Sequence, residues 1–252
     1  MEELRLAFDR IPESFDKWRP RYCAELFDTV IDCAGIDEGA SMLEIGPGTG
    51  QATEPFLKTG CDYTGIELGG NFAAFLREKF AAYPNLHIVQ DDFVPHDFGE
   101  KKFNLILSAA TIQWIPEKIA FSKTFDLLAP GGVLAMCMTY TDERTKNGSL
   151  YDEIQRVYDE HFRVETPYTC KLDYENAVHY GYTDLNYREW KRTRVYTAEE
   201  YVSYLAATQV MHITLEEPYR SRFFGGVREA VKAAGNRIAL EDTIALYLTK
   251  KP

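Results

Sequence analysis

Three glycines at alternate positions, Gly46, Gly48 and Gly50, follow a short apolar run and could serve a binding function. Glycine lets a backbone approach a ligand closely and adopt angles that a side chain would forbid, and the helix expected from about Gln51 offers free N–H groups. Glu44, just before the turn, places negative charge where a pyrophosphate would be repelled and a cation attracted. The pattern favours a nucleotide-like ligand with a cationic group, although such a turn can also be a plain strand-to-helix connection.

The dinucleotide fingerprint Gly-x-Gly-x-x-Gly is a rival interpretation of the same turn. Gly46 and Gly48 fit its first two glycines, but Gln51 occupies the place of the third. An NAD(P)-dependent oxidoreductase is therefore an alternative, which Gln51 and the charge of Glu44 oppose.

Residues 44–51, Glu-Ile-Gly-Pro-Gly-Thr-Gly-Gln, closely resemble motif I of the class I S-adenosylmethionine-dependent methyltransferases, and the resemblance extends over most of the chain. This family places an acidic residue at the end of the second strand, where it binds both ribose hydroxyls of the cofactor. Glu67 has that position after the predicted strand 62–66, and a carboxylate can accept both hydroxyl protons.

The family also holds the adenine with an acidic side chain and a hydrophobic neighbour after the third strand, predicted here at 86–89. Asp91 and Asp92 are both candidates, beside Phe93. The full set of cofactor-binding residues implied by the resemblance is Glu44, Gly46, Pro47, Gly48, Thr49, Gly50, Glu67, Leu68, Asp91, Asp92, Phe93, Ala109, Gln113 and Trp114.

The turn after the predicted fourth strand, 103–108, resembles the Gln-Trp or His-Trp turn of the small-molecule branch that includes trans-aconitate methyltransferase. Gln113 and Trp114 carry this resemblance, which implies a hydrogen bond and a packing contact to the cofactor. Trp114 could instead fill the core. The turn lacks the Asn/Asp-Pro-Pro-Tyr signature of enzymes that methylate exocyclic or amide nitrogens, and a Pro-Gly-Gly turn at 130–132 leads into the fifth strand.

Candidate acceptor-binding residues come from an N-terminal segment that resembles the family's lid, and from the start of the segment after the fifth strand. They are Trp18, Arg19, Tyr22 and Tyr140. Arg19 could hold an acceptor carboxylate through a bidentate contact, but a surface salt bridge explains it equally well. A helix that only covers the sheet is the alternative for Trp18 and Tyr22.

No dedicated catalytic residue is obligatory, because the sulfonium methyl of the cofactor is already activated. A base is needed only when the acceptor arrives protonated, and His161, His179 or His212 could supply it. His179 is favoured because it sits among the tyrosines of the segment before the sixth strand, although a lone histidine is more often structural or solvated.

Alternating strands and helices predict an α/β fold, a doubly wound seven-stranded Rossmann-like methyltransferase sheet in a single domain, 1–252. Its parts are an N-terminal lid (1–24), a cofactor-binding core (25–139), a cap insertion after the fifth strand (140–186) and C-terminal strands and helices of the core (187–252). The seventh strand, 242–249, is expected to insert antiparallel. Tyrosines in the cap would suit an aromatic or amphipathic acceptor, but for any single tyrosine the favoured interpretation is that it packs the cap against the core.

The 252 residues carry a formal net charge of −11 and a pI of about 5.0, which argues against a nucleic-acid substrate. Five widely spaced cysteines without a Cys-x-x-Cys pair, and no signal peptide or membrane-length apolar run, predict a cytoplasmic protein without a metal. A monomer or a homodimer is expected.

The sequence therefore predicts methyl transfer from S-adenosyl-L-methionine to a small-molecule acceptor, with S-adenosyl-L-homocysteine as the second product. The transfer would be an in-line displacement at the sulfonium methyl, and the sequence leaves open whether the acceptor atom is O, N or C. A non-catalytic protein that binds S-adenosylmethionine or S-adenosylhomocysteine is the alternative of a different class.

Overall fold

The computed structural model describes residues 2–164 and 168–252, which include one sheet of seven strands in the order β3-β2-β1-β4-β5-β7-β6. The strands are β1 (Ser41–Ile45), β2 (Asp62–Glu67), β3 (Leu86–Gln90), β4 (Phe103–Ala109), β5 (Leu128–Asp142), β6 (Thr183–Tyr196) and β7 (Ile238–Lys250). This order confirms the predicted doubly wound, seven-stranded sheet.

The first five strands form the parallel part of the sheet. β1 pairs with β2 and β4, β2 pairs with β3, and β4 pairs with β5, all in parallel. Strands of this kind are covered on both faces, and Met42, Leu43 and Ile45 of β1 are accordingly at most 2% exposed. Because parallel strands share a direction, the carboxyl ends of β1 to β4 meet at one edge of the sheet.

The last strand, β7, runs antiparallel to β5, as predicted. Backbone hydrogen bonds join Lys251 to Gly131 and Gly132 near the start of β5. Thr141, near the end of β5, donates to the Asp242 side chain, 2.9 Å away. The residue numbers thus rise along β5 while they fall along β7.

Helices connect and flank the strands. They are α1 (Glu2–Arg5), α2 (Pro12–Trp18), α3 (Ala24–Ala34), α4 (Thr53–Leu57), α5 (Gly70–Lys79), α6 (Glu117–Leu127), α7 (Ser149–His161), α8 (Ala198–Thr208), α9 (Val210–Ile213) and α10 (Tyr219–Ala233), with short 3-10 helices at Phe8–Arg10, Ile112–Trp114 and Tyr174–Tyr180. α3 ends at Gly35, which adopts a left-handed conformation, and Thr197 and Glu200 form a capping box at the start of α8.

The chain divides into two compact units. The first unit contains Met1–Arg19, Thr139–Thr169 and Lys191–Thr243, and the second unit contains Pro20–Met138, Cys170–Trp190 and Ile244–Pro252. The core of the first unit is built from α7, α8 and α10, around Tyr201 and Phe223. The second unit has apolar clusters that include residues of β1, β4 and β5.

The segment predicted as a cap, 140–186, begins and ends inside strands. β5 continues to Asp142 and β6 already begins at Thr183, because backbone pairing extends through polar residues that carry no apolar pattern. Residues 165–167 of this segment lie outside the described residues. The division into lid, core, cap and C-terminal part stays a prediction. In the described ranges, 2–164 and 168–252, no helix combines the length and apolar character needed to cross a membrane.

Candidate active site

The glycine turn after β1 is held in a conformation that demands glycine. Gly46, Gly48 and Gly50 have φ angles of 66°, 61° and 84°. A Cβ atom added to Gly46 would lie 2.4 Å from Cγ2 of Thr111, and one added to Gly50 would lie 2.4 Å from Cε2 of Phe80. Two of the three glycines are thus needed for packing as well as for backbone freedom.

Glu44 is buried, with only 1% of the residue exposed. Its carboxyl accepts hydrogen bonds from the hydroxyls of Thr53, at 3.0 Å, and Tyr63, so that it joins β1, β2 and α4. Burial raises the pKa of Glu44 to about 7, although both hydrogen bonds favour the ionised form. The negative charge expected of Glu44 beside the turn is therefore weakened by burial, and the case against a pyrophosphate rests mainly on Gln51.

Glu67, at the end of β2, links the glycine turn to the next loop. One carboxylate oxygen accepts from the backbone N–H of Gly48 at 2.9 Å, and the other accepts from that of Gly69 at 2.8 Å. The residue is 6% exposed. Leu68, which follows it, is half-buried. A carboxylate has about four acceptor positions, so ribose hydroxyls can join the two backbone donors.

Thr49, which is predicted to contact the cofactor, turns its side chain into the protein. It is fully buried, and its hydroxyl accepts a hydrogen bond from the Gln51 side chain at 2.5 Å. Its carbonyl accepts from Nζ of Lys79 at 2.8 Å. Because the side chain points inward, a contact between Thr49 and a cofactor has to use the backbone. Pro47 lies over β2, with Cγ 3.2 Å from the position a Gly65 Cβ would take.

The segment after β3 brings Asp91, Asp92 and Phe93 together. Asp91 accepts from the N–H of Asp92 and pairs with Nδ1 of His96, both at 2.8 Å, and this His96 contact lowers the pKa of Asp91 most. Asp92 accepts from the N–H of Val94 at 2.9 Å. Phe93 is buried. Both aspartates thus shape the loop and remain the two candidates for the adenine.

The turn after β4 places Gln113 beside the end of that strand. Ala110 has a φ of 60°, which is rare for a residue with a side chain, and follows Ala109 of β4. Nε2 of Gln113 donates to the carbonyl of Ala110 at 2.9 Å, and Tyr174 donates to Oε1 at 3.5 Å. Trp114 is half-buried. This strained turn supports Gly46 through Thr111.

The predicted acceptor residues lie in both units. In the first unit, Trp18 packs on Tyr196 with ring centroids 6.4 Å apart, and Arg19 donates to the carbonyl of Thr208 at 3.4 Å. Tyr140, in the same unit, is 50% exposed. In the second unit, Tyr22 packs edge-on against Phe27. Their contact with an acceptor stays a prediction.

The histidines proposed as bases have different surroundings. His179 is exposed on the 3-10 helix Tyr174–Tyr180 of the second unit. His212, in the first unit, is buried against Tyr158, whose hydroxyl lies 2.7 Å from Nε2, and burial lowers its pKa to about 3. His161 lies 3.6 Å from the Glu160 carboxylate. Across the described part of the chain, no cluster of His, Cys, Asp or Glu is arranged to hold a metal.

Three residues that support the site were missed by the sequence analysis. Thr111 packs on Gly46, Lys79 binds the carbonyl of Thr49, and Lys123 of α6 binds the segment after β3. Thr111 lies in a turn that was already singled out, but the lysines make contacts 27 to 30 residues away along the chain. No local pattern could have revealed them.

Known proteins are similar to this chain in sequence and in fold. Residues 43–134 match the family Methyltransf_12, a methyltransferase domain. Demethylmenaquinone methyltransferase from Tropheryma whipplei is 24% identical over 203 residues, which are 75% of this chain and 77% of that protein. Ribosomal RNA small subunit methyltransferase A from Alkaliphilus oremlandii is 28% identical over 81 residues, 31% of this chain, and the match spans only 28% of that relative's length.

A solved structure supports the fold. Phosphoethanolamine N-methyltransferase 2 from Haemonchus contortus, in complex with S-adenosyl-L-methionine, has a TM-score of 0.57 and 16% identity, covering 97% of this chain and 57% of that one. The strand order, the glycine turn and the family match agree with one another. Residues 43–134 therefore match a methyltransferase domain, and the sheet has the strand order of the class I S-adenosylmethionine-dependent methyltransferase fold.

Proposed function

We propose that the chain transfers the methyl group of S-adenosylmethionine to a small-molecule acceptor and releases S-adenosylhomocysteine. The observation that carries this proposal is the Glu67 carboxylate, which bridges the glycine turn and the loop after β2. Asp91 and Asp92 follow the adjacent strand β3, so ribose and adenine contacts can come from neighbouring strand ends.

The residues of the second unit fit a nucleoside cofactor with two vicinal hydroxyls. The carboxylate of Glu67 lies directly beside the glycine turn, where it accepts from the N–H of Gly48, and its remaining acceptor positions can take the two hydroxyls. Phe93 and Trp114 supply apolar surface near the ends of β3 and β4. When bound, S-adenosylmethionine supplies a methyl group that is already activated on a sulfonium sulfur.

Methyl transfer of this kind needs alignment more than a protein nucleophile. A bond forms between the acceptor atom and the methyl carbon while the carbon–sulfur bond breaks, and its electron pair stays on sulfur. Exclusion of water protects the step. A base is required only for a protonated acceptor, and we assign that role to His179.

The acceptor is proposed to be a small molecule, as in the trans-aconitate methyltransferase branch. The net charge of −11 disfavours a nucleic-acid surface. Demethylmenaquinone and phosphoethanolamine methyltransferases, both similar to this chain, are named for small acceptors. Trp18, Arg19, Tyr22 and Tyr140 are the proposed acceptor contacts of a cytoplasmic monomer or homodimer.

The first test is isothermal titration of the purified protein with S-adenosylhomocysteine, with NADH as the control ligand. Gly48→Val and Glu67→Ala should each abolish binding while the protein stays folded by circular dichroism. Gly99→Val is the matched control, because Gly99 has the same φ of 61° as Gly48 and no neighbour within 4 Å of an added Cβ. Glu78→Ala removes an exposed carboxylate of α5 and controls for Glu67.

Binding of S-adenosylhomocysteine alone, lost in the two site variants only, would support the cofactor site. Small acids, phenols and amines would then be screened with radiolabelled S-adenosylmethionine for methyl transfer. Binding without transfer to any acceptor would favour the non-catalytic alternative. Unchanged affinity in both site variants would overturn the site assignment.

A further inference from the structure

The segment between β3 and β4 is irregular, yet it contains the residues proposed to receive adenine. Within it, Asp92 caps the N–H of Val94, and Asp91 pairs with His96. These contacts shape the segment locally. The N–H of Asp91 also donates to the carbonyl of Glu67 at 3.1 Å, and Phe93 is buried in the core. None of these contacts uses the backbone carbonyls of Phe93, Val94 and His96, which require a further anchor.

Lys123 of α6 supplies that anchor. Its ammonium group donates to three backbone carbonyls of this segment: Phe93 at 2.7 Å, Val94 at 3.1 Å and His96 at 2.5 Å. An ammonium has three donors, and each of the three is used. The nitrogen also lies 5.0 Å from the ring centroid of Phe93 and 5.8 Å from that of Phe98.

The charge of Lys123 is well suited to this position. The side chain is half-buried, and burial lowers its pKa, while Asp97, Asp92 and Asp91 act in the opposite direction. Carbonyl oxygens and aromatic faces replace the water that an exposed ammonium would bind. A lysine whose only role is to be solvated at the surface would not donate to three carbonyls within four residues of one loop.

We propose that Lys123 is a positioning residue for the adenine end of the cofactor, acting through the backbone of residues 93–96. It holds the acidic side chains and Phe93 at the end of β3. This inference rests on the proposed cofactor site and adds to it a residue that selects for the base. It predicts that loss of Lys123 weakens recognition of adenine and leaves recognition of ribose and amino acid intact.

The experiment compares two ligands in four proteins. S-adenosylhomocysteine contains the base, whereas S-ribosylhomocysteine keeps the ribose and the amino acid but lacks it. The proteins are the wild type, Lys123→Met, Lys123→Arg and Lys102→Met. Lys102 is the matched control, because its ammonium is exposed and donates to a single carbonyl, that of Asp126, at 2.8 Å. Ligand-observed NMR reaches the weak affinities expected for the fragment.

Lys123→Met should weaken binding of S-adenosylhomocysteine about tenfold, the size of one lost hydrogen bond, with unchanged affinity for S-ribosylhomocysteine. Lys123→Arg should restore part of the loss, and Lys102→Met should match the wild type. Amide hydrogen exchange should become faster in residues 93–98 of Lys123→Met alone, while the remaining amides exchange at the same rate as in the wild type.

Equal weakening of both ligands, or no change in either, would overturn the role of Lys123. A wild type that binds neither ligand would instead refute the cofactor site itself. The two failures are therefore distinguishable.

Discussion

Two carboxyl groups, one in each unit, are equally buried and have opposite surroundings. Glu44 in the second unit and Asp242 in the first unit are each 1% exposed. Glu44 meets the neutral hydroxyls of Thr53 and Tyr63. Asp242 meets two guanidinium groups: Arg194 contacts both of its oxygens, at 2.5 and 2.7 Å, and Arg192 contacts one at 2.9 Å.

The pKa values of the two groups move in opposite directions. Burial raises the pKa of Glu44 to about 7, because its hydroxyl partners do not offset the cost of removing the charge from water. Burial acts on Asp242 in the same direction, but Arg194, Arg192 and Thr141 outweigh it, so that the pKa is lowered. Burial sets the cost of a charge, and a formal opposite charge decides whether the group keeps it.

Among the substitutions that test this contrast, Asp242→Asn should cause the largest loss of stability. The amide has nearly the same shape but leaves the buried guanidinium of Arg194, whose side chain is 12% exposed, without its counter-charge. Breaking a buried pair in this way costs about 3–5 kcal/mol of unfolding free energy. Urea denaturation at pH 7 measures it, and a loss below about 1 kcal/mol would contradict the importance of the pair.

The pH dependence of stability provides a second test of the ion pairs of Asp242. A lowered folded-state pKa means that the stabilisation is present above the ordinary value of 3.8 and is lost as the pH falls through the folded-state pKa. Asp242→Asn should therefore differ from the wild type at pH 7 and approach it in strong acid.

Glu44→Gln should change stability in the opposite direction. Because the folded-state pKa of Glu44 is raised from 4.5 to about 7, its favourable contribution is complete below pH 4.5 and is lost as the pH rises through 7. The wild type should lose about 3 kcal/mol of unfolding free energy across this window through Glu44, at about 1.4 kcal/mol per pH unit. The variant should be flatter, and more stable than the wild type at pH 8.

Urea titrations at pH 5 and pH 8 test this expectation. The m-value should be the same in both proteins, so that the midpoint reports stability. A Glu44→Gln protein that is less stable than the wild type at pH 8 would show that the carboxylate is held ionised, and the contrast with Asp242 would fail.

Replacing the two arginines one at a time separates their contributions to the stability of the Asp242 ion pairs. Arg194 contacts both carboxylate oxygens and lies over the ring of Tyr204, 4.6 Å from its centroid, whereas Arg192 contacts one oxygen of Asp242 and its side chain is 31% exposed. Arg194→Met should cost about 2 kcal/mol, and Arg192→Met less than about 1 kcal/mol. Equal losses in parallel thermal melts would mean that geometry and burial do not matter here.

The sequence predicted the parts of the fold that a local pattern encodes. The apolar run of β1, the glycines that follow it and Glu67 at the end of β2 were all placed correctly along the chain. The C-terminal strands were predicted from residue 187, but β6 begins at Thr183, because residues 183–189 of this edge strand are mostly exposed and show no alternation. β7 similarly begins at Ile238, four residues before the predicted start.

The environment of each site residue was less predictable than its position. The burial of Glu44 was not predicted, because nothing in residues 41–51 shows that Thr53 and Tyr63 will enclose its carboxyl group. The anchoring of residues 93–96 by Lys123 depends on the pairing of strands. Contacts of this kind arise only when the chain folds, whereas strand ends and turns can be recognised in the sequence.

The smallest effect is expected from Glu199→Gln, which separates pairing from burial. Glu199 has two cationic partners, as Asp242 does: Arg228 at 2.9 Å and Lys232 at 3.3 Å. Its side chain is 63% exposed, however, and water and salt screen exposed pairs. Although these partners lower the pKa of Glu199, the melting temperature of Glu199→Gln should stay close to that of the wild type, and any small difference should vanish in 0.5 M salt, about three times physiological ionic strength. A loss as large as that of Asp242→Asn would mean that the number of cationic partners, and not their burial, decides what a carboxylate contributes in this unit.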